Sequence, residues 1–254
     1  MQRTIKEIKR QLDQTSSLDD PFIKELQNDS RKGVQNLLEG FIKRIEKEKQ
    51  EKAHFKKLSS YERYYRKQGY HMIAGIDEAG RGPIAGPVVA AAVILKEKVY
   101  IPGLNDSKQL TEAKREELFD LIYKSSIAIG VGIIHSYEID QINIYRASQK
   151  AMLEAVRSLG LQPDFLLIDA MPLTTPYPSE SIIKGDAKSI SIAAASIVAK
   201  VTRDRYMTEM EQKFPGYGFD KHKGYGTAEH IEAIRRHGVI SEHRRSFAPV
   251  KEFL

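Results

Sequence analysis

The sequence predicts a mixed α/β domain preceded by a small helical one. Three observations predict it. Through about residue 70, apolar residues recur three and four positions apart with no alternation of period two, the spacing of amphipathic helices. After Gly69 the apolar runs become short and β-branched, as buried strands are. Between and after those runs lie longer stretches of helical periodicity, the pattern of a sheet with helices packed on it.

In chain order, "IKEIKRQL", "PFIKELQN" and "VQNLLEGFIKRIEKEKQEKAHFKKL" predict the helices of an accessory domain over residues 1–70. "HMIAGID" and "GPVVAAAVIL" are predicted strands. "TEAKREELFDLIYKS" is helical, although Lys114 stands where a capping-box glutamate would. "SIAIGVGIIH" is a strand and "NIYRASQKAMLEAVRSLGL" a helix. "PDFLLIDA" is a strand that ends on an acid, and "SISIAAASIVAKVTRDRYMTEMEQKF" is a long helix. With further helices at its C-terminal end, the second domain occupies residues 71–254. There is no internal repeat and no low-complexity segment.

At 254 residues and 41% hydrophobic, the chain can bury a substantial core. It has no cysteine, which excludes disulfides, thiolate catalysis and cysteine-bound zinc. Any metal must therefore rest on oxygen or imidazole. The N-terminus, "MQRTIKEIKRQLDQ", lacks the apolar run of a secretory signal. Pro83 to Leu95, the longest weakly polar run at 13 residues, is too short and broken to span a bilayer. A cytoplasmic monomer without membrane association is expected, and the sequence leaves any protein partner unknown.

The net charge of +6 is unevenly placed. Residues 1–70 hold 17 Lys and Arg against 11 Asp and Glu, whereas residues 71–254 hold 23 of each. Residues 1–40 balance at seven and seven, so the surplus belongs to "FIKRIEKEKQEKAHFKKLSSYERYYRKQGY". Basic residues interleaved with Phe55, Tyr61, Tyr64 and Tyr65 suit a polyanion, since cations neutralise phosphates and aromatic rings stack on bases. A solvated helix laced with i,i+4 ion pairs would show the same letters.

Four acids fall at the ends of predicted elements. Asp77 and Glu78 end the first strand, Asp169 ends "FLLID", and Asp186 precedes the long helix. Each alone could cap a turn or a helix. Together, pressed against apolar strands where an unpaired charge is costly, they point to a divalent cation on oxygen ligands, Mg²⁺ or Mn²⁺. Two such ions about 3.5–4 Å apart would activate water at a phosphodiester and stabilise its leaving oxygen. The glycines beside these acids fit no nucleotide cradle. Arg81 and Gly82 replace the Lys and Ser or Thr of a P-loop, and Ala85 replaces the third glycine of a dinucleotide fingerprint. Gly80, Arg81 and Gly82 instead form a loop that another backbone can approach closely.

In this order and spacing, "GIDEAGRGPIAGPVVAAAVIL", "LNDSKQLT", "LLIDA", "KGDAKSISIAAASIVAKVTRDR" and "HKGYGTAEH" resemble bacterial ribonuclease HII, from residue 71 to about 250. The related ribonuclease HIII typically carries lysine where this chain has Arg81. The N-terminal 70 residues resemble the extension of some Bacillus-like members. The resemblance implies a ribonuclease H-like mixed sheet flanked by helices. It also implies metal-dependent cleavage of RNA in RNA/DNA hybrids and at ribonucleotides embedded in duplex DNA, with two Mn²⁺ or Mg²⁺ ions. The family's acidic ligands map onto Asp77, Glu78, Asp169 and Asp186, its 2′-hydroxyl-sensing loop onto Gly80, Arg81 and Gly82, and its junction-sensing tyrosine onto Tyr225. A 2′-hydroxyl is both donor and acceptor, so backbone groups of a glycine loop can test for it.

Ser107, Lys108 and Lys184 are candidate phosphate contacts, although a polar turn explains the same letters at each. Lys188 and Ser189 share that double reading. His222 and His230 are candidates for proton transfer, or simply structural. Two alternatives stand. One is a ribonuclease HIII-like need for runs of ribonucleotides. The other is a binding module that holds nucleic acid on its basic helices and a structural cation on its acids; metal-dependent turnover separates it from an enzyme.

Overall fold

The computed structural model describes residues 3–254. The chain forms two compact units, one ending at Lys56 and the other running from Lys57 to Leu254. The first holds α1 (Ile5–Gln14), α2 (Pro21–Gln27) and most of α3 (Lys32–Leu58). Thr4 starts α1 with a capping box, its backbone N–H donating to Glu7 Oε2 at 2.8 Å. Asp20 caps α2 ahead of Pro21. The apolar faces close on Ile8, Phe22, Ile23, Leu26, Val34 and Leu38.

Helix α4 (Ser60–Lys67) belongs to the second unit. Tyr65 stacks on Phe165 with ring centroids 3.8 Å apart, and its hydroxyl donates to Glu180 Oε2 at 2.5 Å. The compact units therefore divide at Lys56 and Lys57, while the sequence places the change of texture near residue 70. Tyr61 and Tyr65 of "YERYY", read as part of a basic stretch, pack α4 against the sheet, while Tyr64 is exposed.

The second unit is built on five strands: β1 (Ile73–Ala79), β2 (Val88–Leu95), β3 (Ser126–Ile134), β4 (Phe165–Asp169) and β5 (Ser179–Ile182). Their order is β3-β2-β1-β4-β5. The pairs β3–β2 and β2–β1 are antiparallel, and β1–β4 and β4–β5 are parallel. The mixed sheet is the predicted one, with β5 added at its edge. "SESI" is short and mostly polar, so it offers no apolar run to read. The helices are α5 (Glu112–Ser125), α6 (Ser136–Ile142), α7 (Ile144–Arg157), α8 (Ile190–Lys213), α9 (Phe219–His222) and α10 (Ala228–His237). Among the described residues no helix is long and apolar enough to cross a membrane.

Alternation along β1 assigns the two faces of the sheet. Ala74 and Ile76 pack with Met152 and Ala155 of α7, while Ile73 packs with Ile192 of α8 on the other side. Gly75 lets α8 approach closely, because a Cβ there would lie 2.0 Å from the Ser191 carbonyl carbon. The α8 face of β1 thus carries residues 73, 75 and 77, and Asp77 is its last buried position.

Candidate active site

Register brings the first two acids together. Ile76 on β1 pairs in parallel with Ile168 on β4. The next residues, Asp77 and Asp169, therefore stand at the C-terminal ends of neighbouring strands, which lie about 4.8 Å apart. Glu78 follows on β1, opposite Ala90 of β2. Asp186 comes from the 3₁₀ turn Gly185–Ala187 before α8. It does not cap that helix, since Ser189 does so by accepting from the Ile192 N–H at 3.2 Å. The Gly185 N–H donates to Asp169 Oδ1 at 2.6 Å, tying the turn to the end of β4.

These carboxylates are held under electrostatic strain. Asp77 is 4% exposed. Burial pushes its carboxyl well above the ordinary carboxylate range, and the charges of Glu78 and Asp169 push it further. Burial likewise raises Glu78, opposed by the Arg81 guanidinium. Burial also raises Asp169, with the Gly185 N–H pulling the other way and Asp186 adding to the rise. Cations shield the outer two acids: Arg81 lies 3.3 Å from Glu78, and Lys108 Nζ lies 3.6 Å from Asp186. Burial works against the Lys108 charge, but Asp186 and Asp77 outweigh it and hold the ammonium above its usual value. Among the described residues, no three carboxylates or imidazoles already stand close enough to share one ion. Glu78 Oε2 is nevertheless buried without a hydrogen-bond partner. An all-oxygen donor set with an unpaired buried oxygen fits a hard divalent cation.

The loop beside the acids is held in the opposite manner. Arg244 donates to the carbonyls of Gly80 (2.5 Å), Arg81 (2.9 Å), Pro83 (2.7 Å) and Gly86 (3.0 Å). Arg203 donates to those of Ala85 (3.1 Å) and Pro87 (3.0 Å), and to Lys223 (2.9 Å) in the following loop. Both arginines are buried, and burial lowers them to about 9 and about 10. Gly80 has φ +94°, and a Cβ there would strike Arg203 Nε at 2.1 Å, so only glycine fits between loop and clamp.

Asp77, Glu78, Gly80, Arg81, Gly82, Ser107, Lys108, Asp169 and Tyr225 line one cleft of about 370 Å³. Tyr225 is half exposed, and its ring edge lies 3.6 Å from where a Gly82 Cβ would be. Ser107 is buried and hydrogen-bonded to the Ser196 hydroxyl at 2.8 Å, so it supports the wall more than it offers a phosphate contact. Lys184, in the left-handed region at φ 56°, is exposed on the turn before Asp186 and stands outside the cleft lining.

The histidines are structural. His222 Nδ1 accepts from the Gly224 N–H, so its Nε2–H donates to Tyr217 O at 2.8 Å. His230 is fully buried in a chain of bonds. The Ile240 N–H donates to His243 Nδ1 (3.0 Å), His243 Nε2 donates to His230 Nε2 (3.1 Å), and His230 Nδ1 donates to Tyr225 O (2.8 Å).

Residues the sequence reading passed over also line the cleft: Arg115, Ser196, Lys200 and Arg203. Ser196 reaches the Asp77 carboxylate. Three of the four, Ser196, Lys200 and Arg203, sit at i, i+4 and i+7 of α8. A polar stripe on an otherwise apolar helix was the available signal.

The family model described as Ribonuclease HII matches residues 74–250, and the one described as Ribonuclease HII N-terminal domain matches residues 4–66. A Ribonuclease HII of Bacillus cereus is 57% identical over 251 residues, 99% of this chain and 98% of that protein. Among solved structures, ribonuclease H2 from Pyrococcus horikoshii OT3 is 29% identical with a TM-score of 0.61, covering 71% of this chain and 96% of that one. Bst-RNase HIII in complex with Mn²⁺ superposes with a TM-score of 0.58 over 71% of this chain and 68% of its own, at 19% identity, which speaks for the fold alone.

Proposed function

This chain belongs to the ribonuclease HII family, and from that premise we propose that its cleft cuts the RNA strand of RNA/DNA hybrids and the 5′ side of ribonucleotides embedded in duplex DNA. The observation that carries this reading is the shared cleft. Asp77 and Asp169 from adjoining parallel strands, with Glu78 beside them, open onto the same cavity as Gly80, Arg81, Gly82 and Tyr225. In this reading, cutting chemistry and a test of the sugar share one cleft.

Asp77, Glu78, Asp169 and Asp186 would hold two Mg²⁺ or Mn²⁺ ions, which when bound supply a more acidic water and stabilise charge on the scissile phosphate. Hydrolysis joins the water oxygen to phosphorus, breaks the bond to the 3′-oxygen, and leaves 5′-phosphate and 3′-hydroxyl ends. Arg81 and Lys108 now neutralise Glu78 and Asp186, and substrate phosphate offers both cations an alternative partner. The rigid backbone of Gly80–Gly82 meets the 2′-hydroxyl, and the Tyr225 ring offers a flat apolar face to the neighbouring deoxyribose. Removal of ribonucleotides from DNA in the cytoplasm is the role this activity would serve.

A duplex with a single embedded ribonucleotide, incubated with Mg²⁺ or with Mn²⁺, tests the reading. Cleavage at the 5′ side of that nucleotide is expected. Cleavage only within runs of ribonucleotides would assign ribonuclease HIII-like specificity, and metal-independent binding without turnover would assign a binding module. The basic helical unit supplies duplex affinity in this reading. In this reading the deletion to test ends at residue 56, which leaves α4 with the second compact unit. That deletion is expected to weaken hybrid binding and flatten its salt dependence while leaving the metal requirement unchanged.

A further inference from the structure

Helix α4 lies outside the segment that matches the catalytic family model, yet its Glu62 is 2% exposed. One oxygen, Oε1, accepts from three donors at the start of α8: the Ser189 hydroxyl at 2.5 Å, the Ser191 backbone N–H at 3.0 Å, and the Ser191 hydroxyl. Ser189 is the N-cap of α8, and its own backbone N–H donates to Gly185 O at 2.8 Å. Those bonds close directly onto the Gly185–Ala187 turn that presents Asp186, three residues before the cap. The same turn is fixed to Asp169 through the Gly185 N–H, and Ser191 packs against Gly75, two residues before Asp77. A carboxylate is also favoured at this end of a helix by the macrodipole. The other oxygen, Oε2, is buried without a partner, so the group is placed to serve the helix start and not its own solvation.

We propose that Glu62 is a positioning residue for the metal centre: by fixing the first turn of α8 it sets where Asp186 presents its carboxylate beside Asp169. This rests on the reading of the four acids as metal ligands. The test uses the full chain and titrates Mn²⁺ directly by calorimetry, without substrate. Glu62→Ala is expected to raise the half-saturating Mn²⁺ concentration about tenfold, as loss of an outer support of metal ligands does. Cleavage at limiting Mn²⁺ falls in kcat with KM for the duplex unchanged, and saturating Mn²⁺ restores it. Glu62→Gln, which keeps an acceptor oxygen, shows a smaller rise in the same direction and carries the test should Glu62→Ala not fold. Asp186→Asn is the control. If it binds Mn²⁺ as the parent chain does, the metal-ligand reading falls. If it loses Mn²⁺ while both Glu62 variants bind normally, the role of Glu62 alone is overturned, and a lowered melting temperature with unchanged Mn²⁺ affinity would make it a stabilising group only.

Discussion

The two walls of the cleft are built on opposite principles. The acidic wall is left unsatisfied: Asp77, Glu78 and Asp169 are raised by burial and mutual repulsion, and Glu78 Oε2 has no partner. The glycine wall is saturated, with six carbonyls between Gly80 and Pro87 each taking a hydrogen bond from Arg203 or Arg244. Under the proposed function, the difference follows from what each wall would meet. A site for a hard cation needs buried anionic oxygens that neighbouring cations, here Arg81 and Lys108, only partly offset, and it accepts a stability cost until the cation arrives. A site that judges a single hydroxyl has only one or two hydrogen bonds with which to discriminate, so its backbone must already be in place.

The contrast is broken most severely by Asp77→Asn. Metal charge stabilisation is worth several kcal/mol, and at 1.36 kcal/mol per tenfold its loss lowers hybrid cleavage by about a thousandfold or more. The same change should stabilise the metal-free protein. A carboxyl raised in the folded state contributes stability that is full below about pH 4 and lost as pH rises through the folded value. At neutral pH the parent carries that loss and the asparagine variant does not. Unfolding in chelator at pH 7 should therefore show Asp77→Asn more stable than the parent. A less stable variant would mean that Asp77 is a structural acid.

Arg244→Ala attacks the other wall. It leaves buried loop carbonyls unpaired at about 1–3 kcal/mol each, partly relieved by water, so a loss of about 3–4 kcal/mol is expected in denaturant melts. Mn²⁺ affinity should hold, while cleavage at a single ribonucleotide falls relative to cleavage of long RNA tracts. Arg244→Lys should not rescue, because an ammonium cannot reproduce the guanidinium fork across four carbonyls. Equal loss of metal binding and selectivity would show that the walls are not separately held.

A pH test comes next in size. His230 and His243 are lowered to about 4, first by burial. A lowered histidine is neutral in the fold but binds a proton when unfolded at acidic pH, so stability is lost as pH falls from 6.5 towards 4. For one group that loss is about 3 kcal/mol. Because the pair holds the Tyr225 carbonyl, acid should loosen the glycine-loop side of the cleft, and His243→Gln should flatten the slope of stability against pH over that window.

How much of this was legible in the sequence follows from the same division. Asp77, Glu78 and Asp169 announce themselves because an acid at the end of an apolar strand is anomalous where it stands. Arg203, Arg244 and Glu62 do not. Arginine and glutamate are exposed by default, and what these three bind are carbonyls, N–H groups and hydroxyls that converge only after residues 80–87, 189–191 and 244 have been folded together. Edge strand β5 escaped for a different reason, its letters being too polar and too few to alternate.

The smallest predicted effect is the most discriminating. Gly82 has no positive φ, and a Cβ there would meet only the Tyr225 ring edge, at an ordinary 3.6 Å. Gly82→Ala should therefore change stability by less than about 0.5 kcal/mol, in contrast to Gly80→Ala, which collides with Arg203. A methyl group nevertheless projects towards the Tyr225 ring, where the proposed function puts the sugar. Cleavage at a single embedded ribonucleotide should fall about tenfold, an effect near 1.4 kcal/mol, with Mn²⁺ affinity and melting temperature unmoved. If selectivity survives Gly82→Ala intact, the sugar is not tested at that position, and the close approach that defines the glycine wall must be made at Gly80 and the clamped carbonyls alone.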